Sequence, residues 1–562
     1  MKKIDWIIIV FIVLASLFTL KDFTKPFFYT SHDGIHQVIR LYHFDQALRD
    51  GQIPVRWAGG LLNGFGYPIF VFSYHLPWLI AEPFYYSGFS IFESIKITFL
   101  IGYLISGITM YWYLRKVFGR FPAFFGVLLY LYAPYRFSNI FVRAAIGDAT
   151  SFIFLPLPFL ALYASWEYRR ISWKWIVVGA IGCAGLLLSH AMVFLLAFAG
   201  FTLYALYHFL LGPNRKSSLL NWLLISALGL GLGSYYFIPS LIEKNWTRFS
   251  DVMNNVFTGG TFVSLSKLIY SPWDYGLMGA QQGEMSYQIG IVQWIVVGLV
   301  IAFLIFQVLK KRTFRNIFKH SDLIFFISLF IICIVLMLPI SLPIWKLLAS
   351  VMVIDFTWRI LPVTVLSVSW LGAYLVRNRN TKSIILTIFL MVILFYVNRN
   401  YLRINKIQDW DVPFYLKLEQ TTNMYDEYMP KWVRSELTKK IKPKIEMENT
   451  NQAFQLIEDK TNRVEFEADI AKTTKVTINS IYYPGWELWI DGNISPFQYR
   501  ESGGLVQFSL EPGKHRVEYR FSETPLRKFG DSVTILSFMI LLWGCFHFYP
   551  FGKIHYDKKY RS

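Results

Sequence analysis

Long apolar runs, each about as long as a bilayer is thick, recur along most of this chain and are separated by short basic stretches. A spanning helix needs roughly 20 apolar residues, with about 17–25 tolerated. That length predicts spans near 4–20, 93–114, 118–135, 150–166, 174–190, 191–211, 219–240, 288–309, 322–340, 360–376, 382–397 and 531–549, about twelve in all. The pattern changes between 398 and 530. To about residue 460 this region is charged and mixed, with helix-like stretches. Beyond it, VEFEAD and KVTINSIYY alternate with the two-residue period of half-buried strands. WELWIDG ends in the turn-forming pair Asp491-Gly492, and VQFSLEPGKHRVEYRFS reads as a hairpin around Pro512-Gly513. The reading is a polytopic helical domain over 1–397, a small α+β, β-sandwich-like domain over 398–530, and a last helix with a basic tail over 531–562.

The segment 68–88 is apolar but carries Pro68, Pro77, Pro83, His75 and Glu82. Charge decides its role. With Met-Lys-Lys inside and 68–88 not spanning, the cytoplasmic connections become RKVFGR, EYRRISWKW, GPNRKSS, KKRTFRNIFKH, RNRNTK and the tail GKIHYDKKYRS. All are basic, as the positive-inside rule requires; a span at 68–88 would turn them outward. The segment therefore reads as a re-entrant or interfacial part of a first outer loop over 21–92. The other outer parts are 135–149, 241–287, 341–359 and the β-rich domain. The N-terminus resembles a signal peptide but lacks a small-x-small cleavage site, and reads as an uncleaved first helix.

Composition agrees. Only 16% of residues are charged and 54% are hydrophobic, against roughly a quarter charged in soluble domains. The net charge of +19 is divided among loops, which argues against a nucleic-acid surface. Cys183, Cys333 and Cys545 each lie in an apolar run and imply neither a disulfide framework nor a zinc site. Walker A, dinucleotide-binding, HExxH and GxSxG motifs are all missing from the sequence. Any chemistry then draws on an activated substrate delivered through the bilayer.

The outer loops hold the candidate residues. Asp33 follows the first helix, next to His32. Its bland role is a helix N-cap; its sharper role is to take a proton from an acceptor hydroxyl. If IHQVIRLYHFDQAL is helical, Ile35, Val38, Ile39 and Tyr42 form a stripe for a helix lying on the membrane, with Arg40, Arg49 and Arg56 near headgroup level. His32, His36 and His43 are interfacial packing residues or, for His32 and His36, metal ligands on one helical face. The second outer loop carries Arg136, Arg143 and Asp148, read either as caps and snorkelling side chains or as phosphate-binding arginines beside a second acid. His190, Glu243 and the pair Asp355 and Arg359 complete the outer-end charges; an ion pair is the plainer reading of the last two, phosphate contact the sharper. In the β-rich domain, Tyr483, Trp486 and Trp489 are either acceptor-binding aromatics or core.

The stretch HDGIHQVIRLYHFDQALRDGQIPVRWAGGLLNGFGYPIFVFSYHLPWLI resembles bacterial membrane proteins labelled 6-pyruvoyl-tetrahydropterin synthase-related, as do APYRFSNIFVRAAIGDATSFIFLPLPF, IPSLIEK and FTWRILP. The C-terminal stretch, YYPGWELWIDGNISPFQ and GLVQFSLEPGKHRVEYRFSETPLRKFG, is similar to the end of YfhO-like membrane proteins. Both groups are related to the glycosyltransferase C superfamily. The resemblance implies a bacterial plasma-membrane enzyme, N-terminus cytoplasmic and β domain extracytoplasmic. It would move a sugar from a polyprenyl-phosphate donor to a cell-envelope polymer or glycolipid. Asp33 matches the superfamily's essential acid after the first helix, and Asp148 the acid of the next outer loop, where a glutamate is expected. Arg136, Arg143, Arg359 and Arg56 are then candidates for the donor phosphate, and His32, His36, His190, Glu243 and Trp486 for the acceptor. A divalent metal is used by some members only and stays open. Two rival readings are a flippase for lipid-linked saccharides and a non-catalytic envelope-assembly protein.

Overall fold

A computed structural model describes residues 3–167, 172–211, 215–256, 261–280, 283–311, 321–348, 354–419, 421, 426–448 and 454–548. The basic connections at 168–171, 212–214 and 312–320 and the tail from 549 lie outside these residues.

The chain is mostly helical, with a β region near its C-terminus. Among the described residues, seven helices are long and apolar enough to cross a membrane: Ile91–Phe118, Ile146–Trp166, Ala191–Leu211, Ile291–Leu309, Thr357–Leu375, Thr381–Asn398 and Pro525–His547. Two bent pairs, Arg215–Leu232 with Ser234–Trp246 and Asp322–Met337 with Pro339–Leu348, turn by 76° and 87° and raise the number to nine if each is one span. The second bend has a local cause: Leu338 precedes Pro339 and is extended, with ψ 153°, because the proline ring disfavours the helical region for its predecessor. The remainder of the expected twelve are shorter elements. Arg120–Leu131 has 12 residues, Trp173–Ser189 has 17 and Lys3–Thr19 has 17. At about 1.5 Å per residue, 12 residues reach only about 18 Å of a roughly 30 Å hydrocarbon layer.

Residues 68–88 form two short helices, Ile69–Phe72 and Leu76–Tyr86, too short to span. The helix Gly34–Arg49 corrects one expectation. Val38 and Ile39 are buried, but so are His36, Gln37, Leu41, His43, Phe44, Asp45 and Ala47. Protein covers the helix nearly all round, so it does not present an apolar stripe to lipid; it packs on Leu76–Tyr86, Ile91–Phe118 and Val412–Lys417.

The β region holds two antiparallel sheets. The larger has strand order Phe454–Lys460, Arg463–Ile470, Gly513–Phe521, Trp486–Ile490, Asn493–Ile494, and the smaller Ile445–Met447, Thr474–Ile481, Leu505–Leu510. Asp491 and Gly492, at φ 51° and 79°, join two paired strands, the left-handed geometry of a two-residue hairpin. The expected hairpin at Pro512-Gly513 is instead a corner. Leu505–Leu510 pairs with Thr474–Ile481, whereas Gly513–Phe521 pairs with Arg463–Ile470 and Trp486–Ile490 in the other sheet. Each strand has an apolar side, Val506, Phe508 and Leu510 on one and Val517 and Tyr519 on the other; a corner puts both sides into one core, and Pro512 has no N–H to give a ladder.

The first loop and this domain interlock. Phe28–Tyr29 pairs with Ile407–Gln408. The Ile481 amide donates to the Phe65 carbonyl at 2.8 Å, the Thr461 amide donates to Asp50 at 2.7 Å, and Trp57 meets the Trp486 ring edge-on at 5.7 Å.

Candidate functional site

Where the first two loops meet the helix ends, a cavity of about 700 Å³ opens. Two backbone bonds make it. The amides of His32 and Asp33 donate to the carbonyls of Val142 and Arg143 at 3.1 and 2.8 Å, strapping loop to loop. Just past the strap, Ala144 turns left-handed at φ 52°, a conformation few side chains adopt, and the chain re-enters a helix whose first turn carries Asp148.

Arg143 lies between two carboxylates. Its Nη1 donates to Asp148 and, at 2.6 Å, to Asn139 Oδ1; its Nη2 is 3.9 Å from Asp33 Oδ2. Its guanidinium also sits 4.5 Å from the Trp358 ring centre. Asp148 is fully buried and has His190 Nε2 at 3.3 Å and Arg359 Nη1 at 3.7 Å. Arg359 forks onto Asp355 with two bonds of 2.6 Å and meets His190 at 3.2 Å, so the ion pair expected from their spacing is present. Burial works to raise the Asp355 carboxyl, and the Arg359 charge overcomes it and holds the acid below its ordinary range.

Asp33 occupies the N-cap position of Gly34–Arg49 without making a side-chain cap hydrogen bond. Its side chain is 21% exposed, which sets it apart from the fully buried Asp148. His36 Nδ1 lies 3.9 Å from it. Burial lowers the His36 pKa to about 4, with the Asp33 charge opposing the drop, so His36 is neutral near pH 7. Burial also lowers His32, whose Nε2 is 2.9 Å from the Tyr275 carbonyl.

Asp33, Asp148, Arg143, Arg359, His32, His36 and His190 therefore share one cavity. Four other candidates do not line it. Arg136 is buried among Phe152, Tyr103 and Tyr130, with its Cζ 4.2–5.3 Å from their centres, and donates to Ser106 at 2.9 Å; aromatic faces hold it inside the helices. Arg56 is 1% exposed and bonds Glu523, Asp531 and the Tyr235 carbonyl at 3.1, 3.0 and 2.6 Å. Glu243 takes two bonds from Arg527, at 2.8 and 2.9 Å, and one from the Tyr483 hydroxyl at 2.8 Å. Trp486 is stacked on Tyr519 at 4.3 Å and only 4% exposed. These corrections share one reason, that protein from distant segments covers each group: Arg56 and Glu243 are paired with opposite charges, while Arg136 and Trp486 are packed against rings, with Arg136 Nη1 and Trp486 Nε1 left without a hydrogen-bond partner among the described residues.

The cavity also recruits residues that sequence reasoning did not assign to it. Gln37 and Arg40 line it beside Asp33 and His36. Positions i, i+3, i+4 and i+7 share a helical face, so the spacing was readable. Glu427 and Tyr428 come from the C-terminal region, with Tyr428 stacked between Phe72 at 4.6 Å and Phe249 at 5.8 Å; no local pattern announces them. Among the described residues, no three His, Cys, Asp or Glu side chains converge in a way that could hold a metal ion. The acids instead face guanidiniums, which does not fit a metal centre.

No protein-family profile matches the sequence. The chain is 24% identical over 263 residues to an uncharacterized protein of Lactococcus lactis subsp. cremoris (strain MG1363), a match covering 45% of this chain and 42% of that relative.

Proposed function

We propose that this protein is a membrane glycosyltransferase of the glycosyltransferase C type, taking a sugar from a polyprenyl-phosphate carrier to a cell-envelope polymer or glycolipid. In this reading the chain crosses the membrane about twelve times, the 12-residue Arg120–Leu131 together with the short helix Pro134–Phe137 that follows it, with the N-terminus in the cytoplasm of a bacterial cell and the cavity and β domain outside. The observation that carries this reading is the placement of Asp33 and Asp148 on either side of Arg143 in one cavity.

The two acids take different roles. Asp148 is enclosed by Arg143, His190 and Arg359 and positions Arg143. Asp33 is the more open and acts as the base. It accepts the acceptor hydroxyl proton as that oxygen attacks the anomeric carbon from the face opposite the phosphate. The bond from the anomeric carbon to the phosphate oxygen breaks, and polyprenyl phosphate leaves. The configuration inverts. No step passes through a metal. Met192, Met253, Met278 and Met285 line the apolar side of the cavity, and flexible thioether chains suit a prenyl tail.

The test uses the full chain in lipid nanodiscs with radiolabelled polyprenyl-phosphate sugars and envelope acceptors. Asp33→Asn should lower transfer by at least about 100-fold, the usual scale for a general base, while leaving the folded fraction unchanged. Transfer at the wild-type rate by this variant sinks the role of Asp33; unimpaired envelope assembly by a cell carrying it points to the non-catalytic reading.

A further inference from the structure

Three guanidiniums line the cavity, and they are not equivalent. Arg143 is engaged by Asp148 and Asn139, and Arg359 by Asp355 in a two-bond fork. Arg40 makes no ion pair among the described residues, and its buried Nε has no hydrogen-bond partner. A guanidinium offers five donors in a planar fork that matches a carboxylate or phosphate. Those of Arg143 and Arg359 are directed at protein carboxylates; those of Arg40 are not.

Placement adds a second argument. Arg40 is seven residues beyond Asp33 on the same face of Gly34–Arg49, about 10 Å along the helix axis at 1.5 Å per residue. Its Cζ lies 5.9 Å from the centre of the Tyr74 ring. Burial raises the Tyr74 and Tyr428 hydroxyl pKa values and the Arg40 charge pulls both back. The guanidinium thus stands beside Tyr74 on the helix face that lines the cavity, about two helix turns from Asp33.

We infer that Arg40 is the anion anchor of this cavity and takes the phosphate group of the substrate, a role not held by the carboxylate-bound Arg143 and Arg359. The inference rests on the transferase reading and names the residue that holds the donor headgroup. Arg40 selects the substrate by its phosphate. Asp33, at the other end of the same helical face, meets the acceptor.

The experiment measures binding to the full chain in nanodiscs by quenching of tryptophan fluorescence, with a short polyprenyl phosphate, the corresponding polyprenol and inorganic phosphate as probes. Wild type should bind the polyprenyl phosphate more tightly than the alcohol. Arg40→Gln should weaken the phosphate about 10- to 100-fold, the scale of lost charge-assisted hydrogen bonds, and leave the alcohol unchanged. Arg40→Lys should recover part of the loss. Thermal midpoints should stay within a few degrees, since no protein carboxylate loses its partner. Inorganic phosphate binding that also depends on Arg40 keeps the anchor and makes free phosphate its ligand. Phosphate discrimination retained in a folded Arg40→Gln overturns the anchor and leaves the transferase reading standing. A wild type that does not distinguish phosphate from alcohol overturns the transferase reading itself.

Discussion

The cavity and the joint between the β region and the helices are built from the same materials and behave as opposites. At the joint, Arg527 and Glu243 are both fully buried and bonded to each other, Glu243 also accepts from the Tyr483 hydroxyl, and Arg56 is closed off by Glu523 and Asp531. Each of these buried charges meets a protein partner. In the cavity the same residue types face an open space of about 700 Å³, and Asp33 keeps a fifth of its side chain exposed. A charged residue at a helix end is thus not in itself a sign of chemistry. What separates a strut from a site is whether partners close over it.

That contrast can be broken at the joint first. Glu243→Gln removes the carboxylate from a guanidinium that stays buried, and should cost about 3–5 kcal/mol of stability. Thermal unfolding in detergent and protease release of the C-terminal region would read it. Replacing both partners with leucine should recover most of the loss; a loss below about 1 kcal/mol in the single variant would mean that water reaches Arg527.

The next effect in size is pH-dependent and belongs to the cavity wall. The His36 pKa falls from 6.5 to about 4 on folding, through burial, so the unfolded chain takes the proton first as pH drops. The stability held above pH 6.5 is therefore lost between pH 6.5 and 4, up to about 3 kcal/mol at 1.4 kcal/mol per unit. Unfolding midpoints at pH 7 and 5 should show the fall, and His36→Gln should make it shallower without abolishing it, since burial lowers His43, His75 and His190 in the same direction. An equal slope in that variant assigns the pH dependence elsewhere.

The smallest expected effect sharpens the comparison from the other side. Asp33→Asn removes a partly exposed charge that stands 3.9 Å from both His36 and Arg143, so its stability cost should stay under about 1 kcal/mol, even where transfer is lost. A cost of several kcal/mol would make Asp33 a strut like Glu243.

Much of the fold was legible. The places of the long apolar helices, the short helices of 68–88 and the Asp491-Gly492 turn follow from apolar run length, proline placement and turn chemistry, all of which act over a few residues; the lengths of several helices do not, since only seven to nine of the expected twelve are long enough to span among the described residues. The corner at Pro512 was not legible, because a strand's alternation says which side is buried but not which neighbour it pairs with. The polar face Asp33, His36, Gln37 and Arg40 was readable in principle, although the apolar stripe beside it drew the helix toward a lipid surface.

By itself, the amino-acid order determined that apolar helices dominate, that a β-rich unit precedes the last of them, and that acids and arginines gather at helix ends. Only the tertiary structure decided which of those charges share a cavity. Asp33 meets Arg143 through a backbone strap between two loops, while Glu243 is closed by Arg527 from the last helix and Tyr483 from the β region. Local pattern depends on neighbours a turn or a strand away, whereas desolvation and pairing of a charge depend on whichever distant segment packs over it.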